Sequence, residues 1–406
     1  MEGKNCFKMN FFNDKEEKKV EYMELIYDLI FVYMISRENS LLHSIHGGFV
    51  SSGAAVIYVV STLAIIQIWN FTTFYVNLYG RNGIRDHVFL IINMYLIYFM
   101  GESTRNDWIA YQTQYHIAWG LIILNIGIQY WIELRNHQID VWNRDLIKRM
   151  ALILFIEAGL VFIAAVPNPR TGVIFSVTAI LGGMFMSFFI KITGMGGGTI
   201  DFMHLTERAM LFVVFTFGEM VIAVAAYFKG NGNVHWNMIY FSMMAFLIAV
   251  GLFLGYEVIY DHLIDRNGEH GNVSGLGYML IHIFIIFALN CITVSFEFMN
   301  EEKIAVGPKV LMMTISVVIY FVFLFILCRQ FKHHCEPDRP FNIKVSLLTI
   351  AFAIAMFLLR HNMYLNILAT VLYVFSILVV LYRMKEIRED IRRQHQKYCE
   401  SMIEER

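Results

Sequence analysis

The residues of this chain that could do chemistry stand out because they interrupt apolar stretches. Residues 23–39 read MELIYDLIFVYMISREN and carry Glu24, Asp28, Arg37 and Glu38 in a segment otherwise apolar enough to span a membrane. On an α-helix, Glu24 and Asp28 fall on one face, about 6 Å apart. Two carboxylates that close in a low dielectric do not both ionise easily. The pair is therefore predicted to share a proton or to meet a cation, unless it only makes structural ion pairs.

A second apolar stretch, HLTERAMLFVVFTFGEMVIAV at residues 204–224, carries a comparable set of charges. His204 and Arg208 share one helical face, and Glu219 returns to within about 20° of it. If the two stretches lie side by side, their charges form two layers. The inner layer holds Glu24, Asp28, His204, Glu207 and Arg208, and the outer layer holds Arg37, Glu38, His43 and Glu219.

Specific partners follow if these two helices are neighbours. Arg208 is expected to pair with Asp28 or Glu24, and Arg37 with Glu219. A charge near the centre of a bilayer costs about 2.5 to 3.5 kcal/mol, so each one needs a partner, a cavity or a function. The set fits two roles: a site for a proton or cation, or ion pairs that only hold helices together.

Membrane-spanning helices must position these residues. The chain of 406 residues is 57% hydrophobic and 16% charged, whereas soluble domains have about 25% charged residues. Twelve windows approach the roughly 20 apolar residues that a spanning helix needs, although those at 87–102 and 345–360 are short. The predicted fold class is all-α: a polytopic membrane helix bundle of about 12 transmembrane helices.

The positions of lysine and arginine predict the orientation of the bundle. With both termini in the cytoplasm, the cytoplasmic segments hold 24 of the 32 basic residues and the external loops hold 6. An excess of basic residues marks the cytoplasmic side of a membrane protein. We therefore expect a multi-pass protein of the bacterial cell membrane with both termini cytoplasmic. No signal peptide is recognised at the N-terminus, so the first span is expected to direct insertion.

The two halves of the chain show a weak internal similarity. Glu24 and Glu207 lie 183 residues apart, and the RNG triplets that begin at Arg81 and Arg266 lie 185 residues apart. These offsets predict two tandem six-helix halves of the same orientation. The expected order is a cytoplasmic N-terminal segment (1–22), a first membrane half (23–192), a Gly-containing linker (193–203), a second membrane half (204–383) and a charged cytoplasmic tail (384–406).

Other functional signals in the sequence are weak. Trp69, Asn70 and Asn77 belong to an aromatic, amide-containing run that is a weak candidate for lining a ligand site. Aromatic residues at the end of a span more often anchor it at the membrane interface. No closed zinc pattern, phosphate loop, HExxH or serine–lysine arrangement is apparent. We expect no cofactor, no metal, no nucleic-acid partner and no enzymatic activity.

Three segments resemble one known family. ELIYDLIFV at 24–32, WNFTTFYVNLYGRNGIRD at 69–86 and HLTERAMLFVVFTFGE at 204–219 are similar to the motifs of the bacterial low temperature requirement protein A (LtrA) family. Met220 and the Arg37–Glu38 pair depart from those motifs. The resemblance implies a bacterial integral membrane protein named for a requirement during growth in the cold. It implies no particular substrate or reaction.

Two functions remain as expectations. The first is a proton- or cation-coupled transporter of an unidentified small solute, in which buried carboxylates take up and release the coupling ion. The second is a non-transporting membrane factor in cold adaptation that binds a lipid or a protein partner, with structural ion pairs. In both cases the lipid bilayer is the partner that the composition demands.

Overall fold

Nearly all of the chain that the computed structural model describes is α-helical. The described residues are 19–105, 107–135, 141–192, 201–228, 235–262, 275–299, 301–331 and 339–404. Within them twelve α-helices form, as the all-α prediction requires. They are α1 (Tyr22–Asn39), α2 (Ser52–Tyr79), α3 (Ile84–Glu102), α4 (Trp108–Glu133), α5 (Val141–Ala164), α6 (Pro169–Ile192), α7 (Phe202–Ala225), α8 (Trp236–His262), α9 (Gly275–Met299), α10 (Val306–Phe331), α11 (Arg339–Leu358) and α12 (Met363–Glu404). A two-residue β-hairpin, Ile45–His46 with Phe49–Val50, lies between α1 and α2.

Seven of the described helices are long and apolar enough to cross a membrane. They are α2 and α7 to α12, with mean hydropathies between 1.8 and 2.8 over their most apolar windows. The short window at 345–360 overlaps one of them, α11, which ends at Leu358, whereas the window at 87–102 lies within α3, which is not among the seven. The helix α1 is also outside this group, because its 18 residues include the four charges noted above. The chain is therefore a multi-pass membrane protein. The six described helices of its second half, α7 to α12, are all apolar enough to cross a membrane by composition alone.

Polar residues fix where several helices begin. Asp201 precedes α7, and its Oδ1 accepts the backbone N–H of His204 at 3.0 Å. Ser51 and Asn362 cap α2 and α12 in the same way, accepting backbone N–H groups from the first turn. Such caps satisfy N–H groups that a helix leaves without partners. The cap at Asp201 sets the start of α7 and places His204 and Arg208 in its first two turns.

Helix packing makes α1 and α7 neighbours, as the predicted pairings require. The helix α1 packs against α2, α3 and α7, while α7 also packs against α8 and α9. The helix α2 contacts α4, α6, α7 and α9 and so runs through the middle of the bundle. Large aromatic side chains at this junction, including Tyr27, Phe31, Trp69 and Phe212, are fully buried.

The predicted domain boundaries are only partly within the described residues. The N-terminal segment 1–22 is described from residue 19, and the linker 193–203 from residue 201. The second RNG triplet, which begins at Arg266, lies outside the described residues. The predicted tail from residue 384 continues the last helix without a break, because α12 extends over 42 residues to Glu404.

Candidate functional site

A buried group of charged side chains lies between α1 and α7, and we call Glu24, Asp28, His204 and Arg208 the inner cluster. Arg208 Nη2 donates a short hydrogen bond to Asp28 Oδ1, and Arg208 Nε donates to Asp28 Oδ2 at 3.4 Å. Both side chains are fully buried. Arg208 Nη1 also lies 3.3 Å from Glu24 Oε2. The predicted pairing of Arg208 with Asp28 or Glu24 is confirmed, and Arg208 in fact reaches both.

The indole of Trp69 completes the surroundings of Asp28. Trp69 Nε1 donates to Asp28 Oδ1 at 2.8 Å. The indole also packs against Phe212 of α7, with ring centroids 4.5 Å apart. Asp28 therefore receives hydrogen bonds at both oxygens, which is the compensation that a buried carboxylate requires.

The imidazole of His204 is oriented by α2. Asn77 Nδ2 donates to the Asp201 carbonyl at 2.7 Å, and the Asp201 N–H donates to Asn77 Oδ1 at 3.2 Å. These two bonds fix which atom of the Asn77 side-chain amide is the nitrogen donor and which is the oxygen acceptor. The same Nδ2 lies 3.1 Å from His204 Nδ1, so Nδ1 is an acceptor and the ring proton is on Nε2. His204 Nε2 lies 3.1 Å from Glu24 Oε2.

Two carboxylates of the inner cluster, Glu24 and Asp28, face one guanidinium, Arg208, and the imidazole of His204. A buried carboxylate is costly unless it is compensated, and a proton or a monovalent cation is one form that such compensation takes.

A cleft leads from one end of the bundle to Glu24. It encloses about 300 Å³, and its walls include Glu21, Glu24, Arg81, Asn82, Asp86 and His87. Glu24 is the member of the inner cluster that lines it, with 4% of its surface exposed. The cleft lies where α1 begins, α2 ends and α3 begins. Glu24 is therefore the carboxylate of the inner cluster that borders a cavity.

A second ion-pair network, which the sequence did not predict, borders the cleft. The buried Glu133 at the end of α4 contacts Arg81 at 3.2 Å and Arg85 at 2.9 Å. Arg85 also contacts Asp86 and the Tyr75 hydroxyl, each at 3.2 Å. The sequence feature that could have indicated this network is the pair of arginines, Arg81 and Arg85, in the RNGIRD turn. They lie opposite Glu133, an acidic residue at the end of α4. This network fixes the α2–α3 turn that forms one wall of the cleft.

The outer layer differs from its prediction. Arg37 Nη2 lies 3.7 Å from Glu102 Oε2 of α3, so the predicted Arg37–Glu219 pair is wrong. The physical reason is the direction in which each side chain leaves α1. Glu24, Asp28 and Glu38 share its buried face, whereas Arg37, the residue before Glu38, leaves the helix on the side of α3. Tyr33, one turn before Arg37, also donates to Glu102, at 2.5 Å.

Glu38 is a separate buried carboxyl near the other end of α1. Its side chain is fully buried, and the Tyr115 hydroxyl lies 3.5 Å from its Oε1 as a donor. A cavity of about 10 Å³, lined by Tyr115, Ser61, His116 and Ser176, has room for about one water molecule. Glu38 is thus an outer polar site that the inner cluster does not touch.

The remaining predicted residues do not join the inner cluster. Glu207 is half-buried, Glu219 is buried, and neither pairs with a basic side chain in the described ranges. The side chain of His43 is outside the described residues. Asn70 is buried and lines neither cavity described above, whereas Trp69 and Asn77 hold the inner cluster in place. Within the described ranges, no group of three or more His, Cys, Asp or Glu side chains is arranged to hold a metal ion.

The helices and the buried charges define a multi-pass helical membrane protein with a charged site at a helix junction. The family model of the bacterial low temperature requirement A protein (LtrA) matches residues 19–381. The chain belongs to this family, and the resemblance seen in its motifs is confirmed. Those three motif segments supply Glu24 and Asp28, Trp69 and Asn77, and His204 and Arg208, which meet at one site. Comparisons with curated proteins and with solved structures found no match.

Proposed function

We propose that this protein is a proton- or cation-coupled transporter, in which the inner cluster binds and releases the coupling ion. The observation that carries the proposal is that two buried carboxylates, Glu24 and Asp28, share one guanidinium, together with the cleft that Glu24 lines. Ionisable residues within membrane spans are costly and mark ion or substrate pathways in many membrane proteins. The solute is a small molecule of unidentified class, and no cofactor takes part.

Glu24 is the group that exchanges the ion. It lines the cleft and contacts Arg208 and His204, whereas Asp28 is enclosed by Arg208 and Trp69. When Glu24 binds a proton, Arg208 loses one of its two anionic partners and is held by Asp28 alone. Binding of the ion therefore changes the attraction between α1 and α7. This change can shift the equilibrium between two arrangements of these helices.

The aromatic side chains beyond the inner cluster support a state open to one side. Phe212 contacts Trp69 at 4.5 Å and Phe31 at 6.1 Å between ring centroids. These buried rings separate the inner cluster from Glu38 along the same face of α1. An open cleft on one side and an apolar barrier on the other are what alternating access requires.

Corresponding contacts in the two halves support a tandem repeat. The helix α1 packs against α2 and α3 as α7 packs against α8 and α9. The pairs α3–α4 and α5–α6 likewise correspond to α9–α10 and α11–α12. We therefore propose two six-helix halves, about twelve spans in all, with the inner cluster at their junction. From the excess of basic residues we propose that both termini, and with them the cleft, lie on the cytoplasmic side.

Flux through purified protein in liposomes tests the proposal. Proteoliposomes with an acidic interior and a trapped pH-sensitive dye are diluted into sodium chloride, potassium chloride or a mixture of small organic solutes. Wild-type protein should raise the internal pH faster than protein-free liposomes in at least one of these solutions. Asp28→Asn should lose this effect. If wild type matches protein-free liposomes in every solution, the transport proposal is wrong.

A non-transporting membrane factor is the second candidate. It is favoured by the complete enclosure of the Asp28–Arg208 pair, whose hydrogen bonds would also suit a structural clamp between helices. Such a factor would use its surface to bind a lipid or a protein during growth in the cold. It predicts no flux, with Asp28→Asn affecting only the stability of the fold.

A further inference from the structure

A buried carboxyl in α5 lies outside both sites described above. The side chain of Glu157 is 2% exposed, and neither of its oxygens has a hydrogen-bond partner among the described residues. No basic side chain in the described ranges forms an ion pair with it. An ionised carboxylate in this position would lack every form of compensation that buried charges need.

An amide side chain of α2 converges on the same place. Gln67 is 2% exposed; its Nε2 donates to the Ile180 carbonyl at 3.2 Å, and its Oε1 has no partner in the described part of the chain. A methyl group on Gly183 would lie 2.3 Å from Gln67 Nε2 and 2.3 Å from Glu157 Oε2. Gln67 Nε2 and Glu157 Oε2 are therefore no more than twice 2.3 Å apart, and both lie beside the backbone of Gly183, which has no side chain.

Among the described residues, the stretches that flank the contacts of α5 contain no other titratable group. These stretches are 60–72 of α2 around Gln67, 118–127 of α4 from Gly120 to Gly127, and 176–184 of α6 around Gly183. None of them contains Asp, Glu, His, Lys, Arg, Cys or Tyr. On α5 itself, the nearest charged residue is Arg149, about 12 Å away along the helix axis.

We infer that Glu157 is a second proton-binding site, in which the neutral carboxylic acid pairs with the amide of Gln67. One proton taken from solvent water forms an O–H bond on Glu157 and cancels its negative charge. That O–H can donate to Gln67 Oε1, which otherwise has no donor, while Gln67 Nε2 can donate to the other carboxyl oxygen. A single proton thus satisfies the orphaned atoms of both side chains.

The role of this site in transport rests on the proposed function, but its proton occupancy does not. Gln67 precedes Trp69 by two residues, so α2 links the Glu157 site to the indole that holds Asp28. In a transporter, Glu157 would carry a proton through the apolar first half of the bundle. Proton occupancy can be measured in protein that transports nothing, so the two claims can fail separately.

Infrared spectroscopy of the whole protein in lipid tests the assignment. A protonated carboxyl has a C=O stretching band that is distinct from that of a carboxylate and shifts in D₂O. Wild type and Glu257→Gln, which changes an exposed glutamate in α8, should show this band at neutral pH. Glu157→Gln should lose the component of this band that Glu157 contributes. Gln67→Leu should keep the band but shift it to higher frequency, because the acid loses its acceptor.

Each outcome decides the assignment. If wild type and Glu157→Gln have the same carboxylic-acid band between pH 5 and pH 9, Glu157 does not bind the proton. If sodium or potassium chloride removes the band, a monovalent metal cation competes for the site and the proton assignment is overturned. If Glu157→Gln fails to fold, Gln67→Leu still tests the pairing, and an unshifted band would contradict it.

Discussion

Arg208 and Asp28, 180 residues apart in the chain, form a fully buried and doubly hydrogen-bonded ion pair that joins α7 to α1. The pair brings together the first and third motif segments of the family. The same guanidinium also contacts Glu24, which lines the cleft. A single arginine thus connects a fully buried carboxylate with the one that lines the cleft.

Removing one partner of this pair should be strongly destabilising. Arg208→Met leaves Asp28 buried beside Trp69 without its cation, and we expect a loss of about 3–5 kcal/mol in the free energy of unfolding. Asp28→Leu with Arg208→Met should lose less than the two single changes added together, because the double variant no longer buries Asp28 without its cation. Thermal unfolding in detergent, with the half-exposed Arg105→Met as control, measures this. Additive losses would contradict a direct pair.

The contact between Arg37 and Glu102 should contribute little. Both side chains are 37% exposed and their closest atoms are 3.7 Å apart, and exposed ion pairs are worth about 0–1 kcal/mol. Arg37→Gln should therefore leave the unfolding temperature almost unchanged. A double-mutant cycle between Arg37 and Glu219 should show no coupling. Coupling well above about 1 kcal/mol would indicate that these two residues meet after all.

The ring of His204 should carry a proton on Nε2 and none on Nδ1, because the Asn77 amide donates to Nδ1. Nitrogen NMR of protein with ¹⁵N-labelled histidine distinguishes the two ring nitrogens, with His204→Gln identifying the signal. Asn77→Ala removes the donor that faces Nδ1 and should change the tautomer population. A proton on Nδ1 in the wild type would contradict the arrangement of Asn77 and His204.

Two adjacent glycines in α6 offer a matched pair of substitutions. A methyl group on Gly182 meets nothing within 4 Å, whereas on Gly183 it meets Gln67 and Glu157 at 2.3 Å. Gly182→Ala should stabilise the helix by up to about 1 kcal/mol. Gly183→Ala should lower the unfolding temperature, because two buried side chains must move. Equal effects of the two changes would place Gln67 and Glu157 elsewhere.

The inner cluster could be predicted from sequence because helical periodicity is regular. Charges spaced by four residues in α1 and α7 share a face whatever surrounds them, so Arg208 could be matched to Asp28 once the helices were assumed adjacent. The Arg37–Glu219 pair failed because depth along a helix does not fix rotation toward a particular neighbour. Here α3 lies on the side of Arg37 and supplies Glu102.

Contacts that involve a third helix could not be predicted from the sequence. Nothing in the spacing of Gln67, Glu157 and Gly183 indicates that they meet, since each lies on a different helix and the packing of α2, α5 and α6 decides the contact. The role of Asn77 was likewise hidden. It looked like part of an interfacial aromatic run, but it orients His204 through the backbone of Asp201.

Replacement of Glu24 tests the central claim most directly. Glu24→Gln keeps the size of the side chain and removes the charge that the cleft exposes, while Glu102→Gln changes a carboxylate outside the inner cluster. In proteoliposomes with an imposed pH gradient, Glu24→Gln should reduce the protein-dependent proton flux at least about tenfold, equivalent to about 1.4 kcal/mol. Glu102→Gln should transport like wild type. Wild-type flux in folded Glu24→Gln protein would contradict the assignment of Glu24 as the ion-exchanging residue.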